Sequence, residues 1–245
     1  MFKLESYLLS GYPIELDTLG KIYQPKLKEL YDKKMDYFEL IIPFILLEKV
    51  SLKSENTKFQ ILSQFQLINK IPDLKFEGTN NIVSIYTKLI DTLKFLYKTD
   101  DIEWVEVANR KGILVKQEDT YLIYENNFDK LCDVIFDMFC VDKKKIIEEE
   151  TKELSDIEKY ILEKRKELEE KRPKKNKNPL ITMINYVTHV DETRYDLFNI
   201  YDLTIYQLQH IYNTYQKKES YNTYLKVKLT GMSKDDDKIK HWLED

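Results

Sequence analysis

Glycine and proline are scarce in this chain: 245 residues hold five glycines and six prolines. That is too few for the dense turns of a sandwich or barrel, and too few for glycine-rich phosphate loops, so long helices are expected instead. Only two cysteines occur, Cys132 and Cys140, inside one apolar run. On a helix they lie a little over two turns apart, too far for a disulfide within one element, and they read as buried reduced thiols of a cytoplasmic protein. The three histidines, His189, His210 and His241, share no metal-ligand spacing and fall on different elements. Asp235, Asp236 and Asp237 lack the alternation and glycine of a calcium loop. There is no nucleophile elbow, P-loop, dinucleotide fingerprint or HExxH pattern. No catalytic, cofactor-binding or metal-binding residue is therefore assigned, and the expectation is a protein that is not an enzyme. Charge of one sign is also missing. A net charge of −4 gives no overall field to attract nucleic acid. No apolar run reaches the length of a membrane span, and the first residues, MFKLESYLLSGYPIEL, carry interposed charge and no small-residue cleavage site, unlike a signal peptide.

What is present is enough to fold. Hydrophobic residues make up 42% and aromatics 13%, sufficient for one large core or two modest ones. Helical signals begin at Gln24, with Pro25 suited to a first helical position and Leu27, Leu30 and Tyr31 following at helical spacing. Asp36 with Glu39 reads as a capping-box variant opening DYFELIIPFILLEKV, which Pro43 should kink or divide. Phe59, Leu62 and Phe65 mark a further helix. Another is expected from about Asn81 to Tyr97, with Ile82, Ile85, Tyr86, Leu89, Leu93 and Leu96 along one face. The pattern then changes to alternation, and roughly Ile102 to Tyr124 reads as a small β-meander. Asn126 or Asn127 can cap the next helix, whose stripe is Phe128, Leu131, Cys132, Ile135 and Phe139. This helix and the preceding one are expected to cover one face of the meander, because three strands alone are marginal.

Composition shifts to Lys and Glu from Asp142 to Asn178. Ile147, Leu154, Ile161 and Leu168 recur every seven residues, but the complementary seam positions are mostly charged. A long charged helix ending at Pro173 is expected, with KRPKKNKNP as a hinge. The chain thus divides into an N-terminal α+β lobe over 1–141, a charged helical linker over 142–178 and a C-terminal helical lobe over 179–245. The fold class is α+β, mainly α-helical. Lys171, Arg172, Lys174, Lys175 and Lys177 form the one basic cluster, but Glu167, Glu169 and Glu170 lie within a Debye length of it.

The most informative stretch is DLTIYQLQHIYNTYQ, from Asp202 to Gln216. Thr204 and Gln207 fit the S/T-x-x-E/Q capping box, and Leu203 with Leu208 fit the hydrophobic staple, so a helix should begin at Ile205. Its stripe is Ile205, Leu208, Ile211, Tyr212 and Tyr215. KKES should interrupt it, Ser220 should cap a second short helix, and Gly231 is placed as that helix's C′ residue. Ile239, Trp242 and Leu243 give one last amphipathic turn. Tyr212 and Tyr215 are in phase with the core stripe, whereas Tyr206 is out of phase and should point away. Tyrosine suits the rim of a core and also suits protein interfaces. Tyr206, Tyr221, Tyr224 and Trp242 are accordingly the partner-binding candidates.

These residues also carry a resemblance. NPLITMINYV, then DLTIYQLQHIYNTYQKKESYNTYLKVKLTG, closing with HWLED, resembles the C-terminal end of proteins encoded among the tail genes of phages and prophages of low-GC Gram-positive bacteria. QPKLKEL and MDYFELIIPF near the start are similar in style to the same proteins. Such proteins are described as tail assembly chaperones or tail-morphogenesis proteins. The resemblance implies a non-enzymatic protein of the host cytoplasm that binds the tape-measure protein and helps recruit tail-tube subunits, and it brings no catalytic residues. The alternatives it leaves open are a structural tail or baseplate component that stays in the virion, a homo-oligomer, and a nucleic-acid-binding protein using the 171–177 cluster.

Overall fold

The computed structural model describes residues 4–56, 65, 75–78, 81–107, 110–146, 179–190 and 194–230. The fold is α+β and mainly helical. A first helix, α1 (Leu4–Ser10), leads into a hairpin of β1 (Ile14–Leu16) and β2 (Gly20–Ile22), then α2 (Leu27–Asp32) and α3 (Tyr37–Asn56). A second hairpin, β3 (Lys75–Gly78) and β4 (Asn81–Ser84), runs directly into α4 (Ile85–Tyr97). The meander follows as β5 (Ile102–Val107), β6 (Arg110–Lys116) and β7 (Thr120–Ile123), then α5 (Glu125–Met138). The C-terminal part holds α6 (Pro179–His189), a single 3-10 turn at Ile200–Asp202, and α7 (Ile205–Leu229).

The meander forms as its alternation requires. Ile102 pairs with Val115, Trp104 with Ile113, Ile113 with Ile123, and Val115 with Tyr121, which puts all of them on one face. Ile102, Ile113, Val115 and Ile123 are buried there, while Glu103 on the other face is exposed. Phe65 bridges this face to α5: its ring lies 5.9 Å from Trp104 and 5.4 Å from Phe128. The α5 stripe of Phe128, Leu131, Cys132, Ile135 and Phe139 is buried throughout, as are Leu89, Leu93 and Leu96 of α4. Burial of this kind contributes about 1.5–3 kcal/mol per large apolar side chain.

The first hairpin is held by Gln117. Its Oε1 accepts from the Lys21 amide at 3.0 Å, and its Nε2 donates to the carbonyls of Lys21 and Tyr97, each at 2.8 Å. One side chain therefore supplies an edge strand's hydrogen bonds without a further strand. Gly20 is required beneath it. Its φ is +79°, and a Cβ there would lie 2.7 Å from the Tyr121 ring.

The C-terminal helices join the same buried cluster as the N-terminal ones. Thr204, 1% exposed, bridges to Lys26, the Leu27 amide donates to the Leu203 carbonyl at 2.9 Å, and Lys28 pairs with Asp202 at 2.7 Å. The expected capping box is present: Thr204 Oγ1 accepts from the Gln207 amide at 3.2 Å, and Gln207 Oε1 accepts from the Thr204 amide at 2.9 Å. Leu203 and Leu208 are both buried.

Scarce glycine has a structural consequence. The turn after α2 makes a 6→1 bond from the Met35 amide to Leu30 O and a 5→2 bond from the Lys34 amide to Tyr31 O. That motif wants a left-handed residue at Lys34, usually glycine, and Lys34 takes it with φ 52°. Cys140 does the same after α5, with φ 53° and a 6→1 bond from the Val141 amide to Phe136 O.

Several expectations need correction. The early helix starts at Leu27 instead of near Gln24, and α1 and the β1–β2 hairpin before it carry no strong periodic signal in so few residues. Pro43 lies inside α3 without dividing it. Asn81–Ser84 is a strand, because Ile82 and Val83 pair with Glu77 and Phe76; β-branched neighbours favour that pairing over a first helical turn. Asn127 sits at the third position of α5, where its Oδ1 accepts from the Tyr124 amide at 2.8 Å. α7 continues through Ser220 because KKES holds no glycine or proline and nothing interrupts its backbone bonds. The helix proposed around Phe59 and Leu62, the linker heptads, the basic cluster, Gly231 and the last amphipathic turn lie outside the described residues.

Two stability measurements check this account. Thr204→Ala should lower the unfolding free energy in urea by about 1–2 kcal/mol, the usual cost of an N-cap loss. Lys34→Gly should raise it by about 0.5–1 kcal/mol, since relief of the left-handed penalty exceeds the added chain entropy.

Candidate functional site

Three features of the described surface offer themselves as sites: a polar cleft, a charged cluster, and the exposed apolar surfaces of the C-terminal part. The polar cleft, about 520 Å³, lies between the first hairpin, the end of α4 and the β6–β7 turn, with Lys21, Lys98, Lys116, Glu15 and Glu118 in its walls. Its lysines are already engaged. Lys21 meets Glu15 at 3.3 Å, Lys116 meets Glu103 at 2.9 Å, and Lys98 meets Glu29 at 2.6 Å while lying over the Tyr23 ring. Gln117 spends both ends of its amide on backbone. The cleft is a seam closed by internal polar bonds, and its chemistry selects no ligand.

The charged cluster joins α3, α5 and the segment after α5. Lys143 Nζ lies 3.1 Å from Asp133 and 3.7 Å from the buried Glu48. Burial pushes the Glu48 carboxyl above its ordinary range, with Asp129 and Asp133 adding to the rise and Lys143 opposing it. Asp129 is raised for the same first reason. Burial works against the Lys143 charge, but Asp133 and Glu48 outweigh it and hold its pKa above the ordinary value. Among the described residues no group of His, Cys, Asp and Glu is arranged to hold a metal ion. The two thiols are free, with Cys132 buried. Burial pushes Cys140 up to about 12 and Cys132 well above its usual value, so neither is a thiolate at neutral pH.

α7 carries most of the sequence-predicted site. Its proximal stripe faces the body: Ile205 and Leu208 are buried, and Ile211 and Tyr212 pack against the core. Tyr212 meets Tyr186 of α6 edge-on, with centroids 5.1 Å apart. The Tyr186 hydroxyl is shielded, and burial with Glu219 beside it pushes it up to about 12. Tyr206 departs from the expectation that it points away. It is half-buried, packs against the core and stacks on His210. Burial raises its pKa, and Glu5 of α1 and Asp137 and Cys140 at the end of α5 lie close enough to add to the rise. The reason is that α7 enters between α1 and α5, so both flanks of its first turn are covered.

Tyr221 and Tyr224 are half-buried, and Lys228 lies over the Tyr224 ring at 5.9 Å; Trp242 lies outside the described residues. At 100° per residue, the distal stripe of Tyr221, Tyr224, Leu225 and Leu229 is centred roughly 130° from the proximal one, with Leu229 coming back into phase with Ile211. Leu225 is 36% exposed and Leu229 86%. One continuous helix thus buries its apolar stripe at its start and shows an apolar stripe, turned partway round the rod, to solvent at its end.

A second apolar surface had no sequence signal. The α2–α3 turn and the start of α6 enclose a groove of about 440 Å³ lined by Leu30, Tyr31, Lys34, Met35, Asp36 and Leu180. Leu180 lies more than half the chain away from the other five, which is why periodicity within any one segment could not reveal it.

Residues 172–245 match the family model of the YomV second domain, a phage-related family. The match covers under a third of the chain and includes α6 and α7. No curated protein and no solved structure matches the chain. Among the described residues no helix is long and apolar enough to cross a membrane.

The charged cluster generates a pH prediction. Glu48 and Asp129 have folded pKa values above their unfolded ones, so their contribution to stability is fully present below the ordinary carboxylate range. It is lost as pH rises through the raised values. Urea unfolding followed from pH 4.5 upward should show this decline, and Glu48→Gln should flatten it. Lys143→Met should cost about 1 kcal/mol at neutral pH and steepen the decline.

Proposed function

We propose that this chain is a non-catalytic binding protein of phage tail morphogenesis. In this reading it holds amphipathic helices of the tape-measure protein until tail-tube subunits assemble around them, and it acts in the host cytoplasm. The observation that carries the proposal is the distal stripe of α7, where Leu225 and Leu229 are exposed beside Tyr221 and Tyr224 at the end of a helix anchored in the core. An amphipathic partner helix could lay its apolar side on such a stripe, with Lys226 and Lys228 available to acidic neighbours. The phage-related match over residues 172–245 supports the setting and includes this helix. The sequence resemblance supports the tail-specific role.

The test is co-expression with a tagged fragment of the tape-measure protein encoded by the same phage or prophage. Wild-type protein should be captured with the fragment and be absent from purified particles. Leu225→Asp combined with Leu229→Asp should cut capture at least tenfold while leaving thermal stability unchanged, because both side chains are exposed. Stoichiometric presence in mature particles without capture of the fragment would instead favour the structural tail component. Retention on DNA with a steep salt dependence would favour the nucleic-acid reading.

A further inference from the structure

The turn before the 3-10 helix presents two large apolar side chains to water. Phe198 is 93% exposed and Leu197 58%. This tip is held firmly by its own polar groups. Asp196 Oδ1 accepts from the amides of Phe198 at 2.8 Å and Asn199 at 2.9 Å, while Asn199 Oδ1 accepts from the Asp196 amide at 2.9 Å. Asn199 Nδ2 also donates to Arg194 O at 3.0 Å. The backbone that carries Phe198 is thus pre-ordered while its ring contributes nothing to the core, so little backbone ordering is needed for it to bind.

The groove between the α2–α3 turn and α6 lies on the same flank. Tyr201, three residues after Phe198, packs its ring 6.0 Å from that of Tyr31, which lines the groove. Knob and groove each carry charges of both signs, which allows each to pair with the other's. Lys34 and Asp36 stand on the groove's rim, and Asp196 and Arg194 flank the knob. Lys34 stands there in a left-handed conformation that glycine would adopt at lower cost.

We infer that this face pairs with the same face of a second copy of the chain. About a two-fold axis, Phe198 of each copy enters the groove of the other. The rotation brings Asp196 toward Lys34 and Arg194 toward Asp36 in both halves, as a self-complementary interface requires. A foreign helix laid in the groove would leave Phe198 in water, whereas a second copy covers knob and groove together. The interface is separate from the distal α7 stripe, so it stands or falls independently of tape-measure binding.

The test is sedimentation equilibrium of the full chain from about 1 to 200 μM, the range in which a modest interface associates. Wild type should approach twice the mass of one chain at the upper end. Phe198→Asp should remain monomeric with unchanged circular dichroism and melting temperature, and Lys34→Glu should weaken association at least tenfold. Leu180→Arg should also be monomeric, yet mixing it with Phe198→Asp should restore partial pairing, since one copy keeps its knob and the other its groove. A wild type that stays monomeric throughout overturns the inference. So does a dimer that Phe198→Asp leaves intact, or a monomeric wild type in which that substitution abolishes capture of the tape-measure fragment.

Discussion

The fold turns on the start of α7, where one short sequence satisfies two sets of unmatched backbone groups. Thr204 and Gln207 close the helix's first turn on each other. The same Gln207 then reaches across the molecule, its Nε2 donating to Leu9 O at 2.8 Å at the end of α1. This second bond exists because Gly11 makes room. With φ +71°, it turns the chain away after α1, and a Cβ there would lie 3.0 Å from Gln207 Nε2. The bridge that pairs Lys26 with Thr204, with the Leu27 amide donating to the Leu203 carbonyl, completes the junction. A buried helix end without such partners would be strongly unfavourable, so the junction fixes where the C-terminal helices sit.

Two consequences follow for the surfaces. Because α7 is anchored at its beginning, its proximal stripe is committed to the core, and Tyr206, which phase alone placed outside, is half-buried against it. Its far end carries an apolar stripe on another side of the same rigid rod. The Leu27–Leu203 backbone bond, with Lys28 and Asp202 paired beside it, holds the 3-10 turn against α2. That brings Tyr201 to Tyr31 and sets the Phe198 knob beside the groove. Both proposed interaction surfaces are therefore products of a single anchoring event, one at each end of what it positions.

Glycine scarcity shapes the rest. After α2, α4 and α5 the left-handed residues are Lys34, Lys98 and Cys140, while Gly11 and Gly20 stand where a neighbouring side chain also needs the space of a missing Cβ. The positions that could be relieved by glycine carry strain of order 1 kcal/mol each. At Lys34 that strain places a charge on the rim of a groove. No comparable surface feature accompanies Cys140, whose thiol is instead half-buried and protonated.

Much of this fold is legible in the amino-acid sequence. The capping box at Thr204, the meander from Ile102 to Ile123 and the α5 stripe from Phe128 to Phe139 all rest on contacts within a few residues or on a strict period, and sequence carries such information directly. The break expected in KKES and the helix expected at Asn81 misjudged local preference where neighbouring turns and strand pairing decided the outcome. Of the candidate partner-binding residues, Tyr221 and Tyr224 lie on the distal stripe and Tyr206 against the core. The sequence by itself determined the capped start of α7, the meander and the apolar stripe of α5, because each rests on neighbours within a few residues or on a strict period. The tertiary structure alone decided that Gln207 meets Leu9, that Gln117 holds Lys21, and that Leu180 and Met35 share a groove near Phe198. Those partners lie far apart along the chain, and only the packing of elements distant in sequence brings them within reach.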